Sequence, residues 1–221
     1  RVDGYLFLDP TDELESLKSD LQASHEAGLT GIELVDRIPI DSFDSGPALH
    51  YPNQAQFHPM KYLNALASKI IELGGEIFTS THIDKIDKDG VTTATGFRVS
   101  ADHIVVATNT PINDRVVIHT KQAPYRTYVV AFRIPKGSIP HILMWDTGDQ
   151  NTKPYPYHYV RLQNFDRKND ILIVGGEDHK TGQADDAENR FKNLENWTRE
   201  KFPAAQEILY RWSGQVMEPV D

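Results

Sequence analysis

The sequence predicts a mixed α/β fold of the α+β kind, built on a large, mostly antiparallel sheet flanked by helices. Three observations carry this. Three stretches repeat apolar residues at helical spacing. The second half is a succession of short runs rich in β-branched and aromatic residues, several alternating in polarity. Too few helical crossovers separate those runs for a purely parallel sheet.

Taken in order, "DGYLFL" at 3–8 reads as a buried strand. A helix follows, with Asp9 and Thr11 as cap candidates, Pro10 in its first turn, Leu14, Leu17 and Leu21 on one face, and Gly28 as its stop. Residues 30–37 read as extended. Residues 38–53 hold Pro39, Pro47, Pro52 and a Ser-Gly-Pro, and read as a loop. Residues 57–75 form the clearest helix. Pro59 opens it, Met60, Leu63, Leu66, Ala67, Ile70 and Ile71 share a face, and Gly74-Gly75 ends it. A strand is expected at 76–81, a small meander turns at Asp89-Gly90, and a strand closes the unit at 104–107. Strands are expected at 125–134, 142–146, 157–163 and 170–176. A last helix spans 185–203, with Phe191, Leu194 and Trp197 as its apolar stripe.

The 221 residues suffice for one large domain or two small ones. At 39% hydrophobic and 25% charged the chain falls outside the disordered class. A net charge of −9 with no basic cluster argues against nucleic acid as a partner. Absence of cysteine removes disulfides, thiolate catalysis and thiolate metal ligation from this segment. No HxH or HExxH pattern indicates a metal. No apolar run reaches the roughly 18 residues of a membrane span and no signal peptide is evident, so no membrane partner and a cytoplasmic location are the default expectations. The start at Arg1, directly before a strand, and the end at Asp221 read as cuts within a longer enzyme.

Several segments could carry chemistry. "HIVVATNTP" at 103–111 is an apolar strand breaking into small and polar residues, where open sheets bind ligands. Taken alone, an ordinary core strand followed by a turn is the simpler reading. "GGEDH" at 175–179 offers two carboxylates and an imidazole. Neighbours on a strand face opposite ways, so the three cannot converge, and a solvated loop after an edge strand is the simpler reading. His58 suits a helix start or a ligand contact. On an extended 157–163, Tyr157, Tyr159 and Arg161 share a face, where a guanidinium beside two phenols can bind a carboxylate or an aromatic ligand. A structural ion pair for Arg161 is the alternative.

Together, in this order and spacing, these segments resemble the FAD-dependent oxidoreductases of the D-amino-acid-oxidase type. The resemblance rests on "FHPMKYLNALASKIIELGGEIFTSTHIDKI", "DHIVVATNTP", the paired "YVRLQ" and "ILIVGGEDHKTGQ", and "KFPAAQEILYRWSGQVMEPVD" with its Phe-Pro and Trp-x-Gly. It implies FAD contacts at Ile83, Ala107, Thr108, Asn109, Gly214 and Asp221, and substrate contacts at Arg161, Tyr157 and Tyr159. It divides the chain into a substrate domain at 1–53 and 113–210, an inserted part of an FAD-binding domain at 54–112, and a return to the FAD domain at 211–221. The Gly-x-Gly-x-x-Gly fingerprint that holds the pyrophosphate is not in this sequence, so the chain alone is expected to be inactive.

The family's amino-acid oxidases often carry Trp-x-Gly-x-Arg, whose Arg pairs with the substrate carboxylate. Here that position is Val216. Burying a carboxylate without a charged partner costs on the order of several kcal/mol, which argues against a simple amino acid bound in the usual way: either Arg161 takes the place of that Arg, or the substrate is an amine or another reduced C–N compound. The resemblance implies hydride transfer to FAD with no obligatory side-chain base, and catalytic side chains are not assigned. It also points to a Rieske domain elsewhere in some relatives. An exposed apolar patch near 104–107 is expected to favour a homodimer. The alternative is a non-catalytic ligand-binding or assembly module on the same fold.

Overall fold

The computed structural model describes residues 1–109, 112, 121–153 and 156–219. The chain divides into two compact units, Arg1–Gln56 with Pro124–Glu218, and Phe57–Ala123 with Pro219–Asp221.

The larger unit is built on an eight-stranded sheet of β1 (Val2–Phe7), β2 (Glu33–Val35), β3 (Ala48–Gln54), β7 (Gln122–Pro135), β8 (Leu143–Asp146), β9 (Tyr159–Asn164), β10 (Asn169–Lys180) and β11 (Ile208–Pro219). Their order is β11-β7-β10-β9-β8-β1-β3-β2. β1 and β8 run parallel, while β1–β3, β2–β3, β7–β10, β9–β10 and β8–β9 are antiparallel. The mixed, mostly antiparallel sheet expected from sequence is therefore present.

Two helices cover opposite faces of this sheet at different places. α1 (Leu14–Glu26) buries Leu17 against Leu6, Ile32 and Leu49. α3 (Ala187–Lys201) packs Leu194, with Phe202 just beyond its end, into the main core of Tyr128, Val130, Phe132, Val160, Leu162, Leu172 and Val174. Alternation along β7, β9 and β10 thus sends one set of side chains to α3 and leaves the other set on the reverse face.

The smaller unit holds α2 (Pro59–Glu72) and a meander of β4 (Ile83–Asp87), β5 (Gly90–Thr93) and β6 (Arg98–Ser100). His58 caps α2, its Nδ1 accepting the Lys61 N–H at 3.3 Å, which answers the ambiguity of that residue. The apolar face of α2 is present, but no residue of the helix is buried. Met60, Leu63 and Ile71 are each more than half exposed.

Several expectations need correcting. Residues 38–53 are not all loop, because β3 begins at Ala48 and lies between β1 and β2. Pro52 is tolerated because the β1–β3 register shifts between Val2 and Gly4. Asn53 takes φ 60° there and donates its N–H to Asp3 Oδ1. The segments at 76–81 and 104–107 belong to no strand among the described residues, and Ser80 takes φ 52°. A strand needs a neighbour for its ladder, and apolar sequence alone does not provide one. Asp9 and Thr11 do not cap α1. The Asp9 carboxylate accepts the Thr11 N–H and hydroxyl in a preceding turn, which places Pro10 before the helix, and Asp12 accepts the Glu13 N–H and the Ser16 hydroxyl. Residues 177–180 are not a loop after an edge strand but the continuation of β10, an interior strand between β7 and β9.

Candidate functional site

On β7, β9 and β10, alternation of side chains defines a face turned away from α3. His158 is held on the α3 side: its ring stacks on Trp197 at 4.3 Å, its Nδ1 lies 2.7 Å from Asp146 Oδ2, and its N–H donates to Asp146 Oδ1. Asp146 is itself buried and also accepts the Gly148 N–H. With His158 fixed below, Tyr157 and Tyr159 project from the opposite face. Their ring centroids are 5.9 Å apart. Arg161 lies two residues along from Tyr159, while Val160 and Leu162 on either side of it enter the core. The expected grouping of Tyr157, Tyr159 and Arg161 on one face is therefore present in the geometry, although Tyr157 precedes β9 rather than lying within it.

Small residues make room for this group. Gly175 pairs with Tyr159 across β9–β10, and the Tyr159 ring lies where a Cβ at 175 would be. Next to it Gly176 takes φ 146°, and a Cβ there would strike the Tyr157 carbonyl. The β7–β10 register then shifts between Gly176 and His179. This bulge, with Glu177 at φ 57°, sends Glu177 to α3, where Asn193 Nδ2 donates to it. His179 also turns that way and meets the Tyr128 hydroxyl at 2.9 Å. Asp178 goes to the tyrosine face. The two carboxylates and imidazole of "GGEDH" accordingly do not converge.

The electrostatics of this face are set by burial and by acids. Tyr159 Oη is 3.0 Å from Thr127 Oγ1. Burial raises the phenol pKa of both Tyr157 and Tyr159, and Asp178 adds to each shift. Asp178 is itself pushed up, first by burial and further by Glu218 of β11, with the Thr127 hydroxyl opposing. Thr127 and Asp178 were not singled out in sequence as members of the tyrosine group. The glycine pair before Asp178 was the available signal, but a bulge has no unique sequence signature.

The other candidates lie apart along the chain. Ile83 begins β4 and pairs with Thr93. Ala107, Thr108 and Asn109 end a largely exposed stretch without regular structure, where Asn109 takes φ 64°, a conformation its side chain tolerates well. Gly214 is half-buried within β11 of the larger unit. Asp221 lies outside the described residues. No group of three or more metal-binding side chains occurs among the described residues. No described helix is long and apolar enough to cross a membrane.

A family model for FAD dependent oxidoreductases matches residues 1–221. The chain belongs to this family, the D-amino-acid-oxidase-like flavoproteins. It is 27% identical over 223 residues to YhfW of Bacillus subtilis (strain 168), a protein named as a Rieske 2Fe-2S iron-sulfur protein, covering 99% of this chain and 42% of that one. Its fold is similar to NikD, an amino acid oxidase of nikkomycin biosynthesis, with a TM-score of 0.75, 16% identity, and 100% of this chain against 62% of NikD. It is also similar to the fructosyl peptide oxidase of E. terrenum, with a TM-score of 0.71, 11% identity, and 99% of this chain against 60% of that chain. The chain thus spans less than two thirds of each of these relatives.

The family implies FAD, and the local backbone suits it in part. The stretch ending at Ala107 offers main-chain groups with no ladder partner among the described residues, beside a side chain no larger than a methyl. A flat, bulky cofactor can approach such a backbone closely. The sequence offers no glycine-rich cradle for the pyrophosphate.

Proposed function

We propose that this chain supplies the substrate-binding face and part of the cofactor site of a flavin-dependent oxidoreductase acting on an amine or amino-acid-like C–N compound. The observation that carries the reading is the open face of Tyr157, Tyr159 and Arg161, set over the small residue Gly175, in a chain of this family. The larger unit is the substrate domain in this reading, and the smaller unit is the inserted part of the FAD domain. Ile83 and Ala107 to Asn109 would line the cofactor from the smaller unit. Gly214 of β11 and Asp221 would contact it from the end of the chain.

Bound FAD supplies the oxidant, which takes a hydride from the carbon beside nitrogen. The chain's own part is to hold the substrate. Tyr157 and Tyr159 offer apolar ring faces and hydroxyls, and Arg161 offers a planar charge. The amine nitrogen must be neutral when the hydride leaves, and no side chain of this face is assigned as the acceptor of its proton.

The exposed apolar side of α2 and Val105, 88% exposed, would pack against the remainder of the FAD domain. A homodimer contact through the same surface is the competing use. The likeness to YhfW supports a Rieske domain in the protein that carries this chain, serving as electron acceptor. Its cysteine ligands would come from outside this sequence.

The test is the visible spectrum of the intact protein as purified. A flavin spectrum that bleaches with an added amine or amino-acid-like substrate is expected. No flavin after reconstitution with FAD would overturn this reading in favour of a non-catalytic binding or assembly module.

A further inference from the structure

The β10 bulge places Asp178 on the tyrosine face, and the surroundings of its carboxylate are unusual. Asp178 Oδ1 is shut off from solvent and has no hydrogen-bond partner. Its neighbours on that face are Thr127, the phenols of Tyr157 and Tyr159, and a second carboxylate, Glu218 of β11. The groups that offset its charge, His179 and Arg190, belong to the α3 side. His179 is bonded there to Tyr128, and Arg190 to Asp186 and the Glu177 carbonyl. Thr127 is itself engaged with Tyr159. Oδ1 is left without a hydrogen-bond partner, while the Thr127 hydroxyl lies close enough to the carboxylate to lower its pKa. A buried acceptor of this kind calls for a donor, and a phenol face attracts a cation.

We propose that Asp178, with Tyr157 and Tyr159 beside it, is the seat for a cationic nitrogen of the substrate. This deepens the reading of the chain as part of a flavin-dependent C–N oxidoreductase and rests on it for the word substrate. An ammonium group answers each feature at once. It donates to Oδ1, places its positive charge among two carboxylates, and lays its alkyl groups on the rings. A substrate carboxylate at the same place would meet Asp178 and Glu218 as like charges. Two carboxylates without a third acid, His or Cys do not make a metal site among the described residues. At this seat an ammonium group is therefore favoured over a carboxylate.

Two probes of equal shape and opposite charge separate the outcomes. The tert-butylammonium ion has no hydrogen on the carbon beside nitrogen and cannot be oxidised there, and trimethylacetate is its anionic counterpart. Each is titrated at pH 7 into the intact protein, read by flavin absorbance and independently by tyrosine fluorescence. The ammonium ion is expected to bind at least about tenfold more tightly than the anion. Asp178→Asn should abolish that preference, with flavin content unchanged, and Asp178→Glu should retain part of it. Equal or tighter binding of trimethylacetate would overturn the proposal, as would an Asp178→Asn protein that keeps the full preference. A protein without flavin would instead overturn the flavoenzyme reading, and the fluorescence titration would still decide the cation site.

Discussion

The ring of Tyr159 occupies the space that a Cβ at Gly175 would need, with the two residues paired across adjacent strands. The contact joins a floor with no side chain to the aromatic group above it. Gly175→Ala should force the ring aside at a cost of about 1–3 kcal/mol, the usual range for overpacking. Urea unfolding should show a lower midpoint with an unchanged slope. Adding Tyr159→Ala should recover part of the loss, because the collision then has no second partner. A double variant no more stable than Gly175→Ala would show that the ring is not the obstacle.

The same segment is pinned from the other side by Asp146 and His158, 2.7 Å apart, with the His158 ring stacked on Trp197. Asp146→Ala would leave the His158 ring and N–H, and the Gly148 N–H, without their acceptor. Orphaning buried donors should cost roughly 2–5 kcal/mol. Because this anchor sets which way Tyr157 and Tyr159 face, substrate binding should fall with stability. The expected result is a lower Tm together with a raised KM at a temperature where the variant is still folded.

The legibility of the molecule in its sequence follows the physics of each element. β9 and β10 were readable because alternation and β-branching report a half-buried sheet face, and Tyr159 and Arg161 came with them. α2 was readable from periodicity, but periodicity does not say what covers an apolar face, and in this chain no α2 residue is buried. β3 was hidden by Pro47 and Pro52, because a proline at a register shift looks like a proline in a loop. The strands expected at 76–81 and 104–107 failed in the opposite sense, since their composition suits a strand but pairing depends on a distant partner. Asp178 was visible as a residue and invisible as a site member. Its direction depends on a bulge one residue long, and shifting the alternation by one reverses every facing.

Asp178 also gives a pH signature in the absence of ligand. Burial raises its carboxyl pKa in the folded protein above the unfolded value, with Glu218 adding to the shift. The folded state then holds the proton more tightly. Stability from this group is fully present below the unfolded carboxylate pKa and is lost as pH rises through the folded one. Asp178→Asn removes that dependence. The variant should be more stable than the parent at pH 7 to 8, and the difference should shrink as pH falls into the acid range. Urea midpoints of the two proteins across pH 4 to 8 would check this, and a difference that grows on acidification would contradict it.

Arg161 shares the face of Tyr159, while Val160 and Leu162 on either side are anchored in the core. That anchoring makes the backbone indifferent to the identity of residue 161, so Arg161→Ala should fold. Its loss should act on ligand contact, with KM rising far more than flavin content or Tm changes. The comparison with Asp178→Asn is informative, because the two residues carry opposite charges on one face. A substrate bearing both an ammonium group and an anionic group should lose affinity in each variant, whereas a simple amine should respond mainly to Asp178→Asn. Kinetics of both variants on an amine and on the matching amino acid would read this directly. Unchanged kinetics in Arg161→Ala for both compounds would remove Arg161 from the substrate face and leave it a structural role.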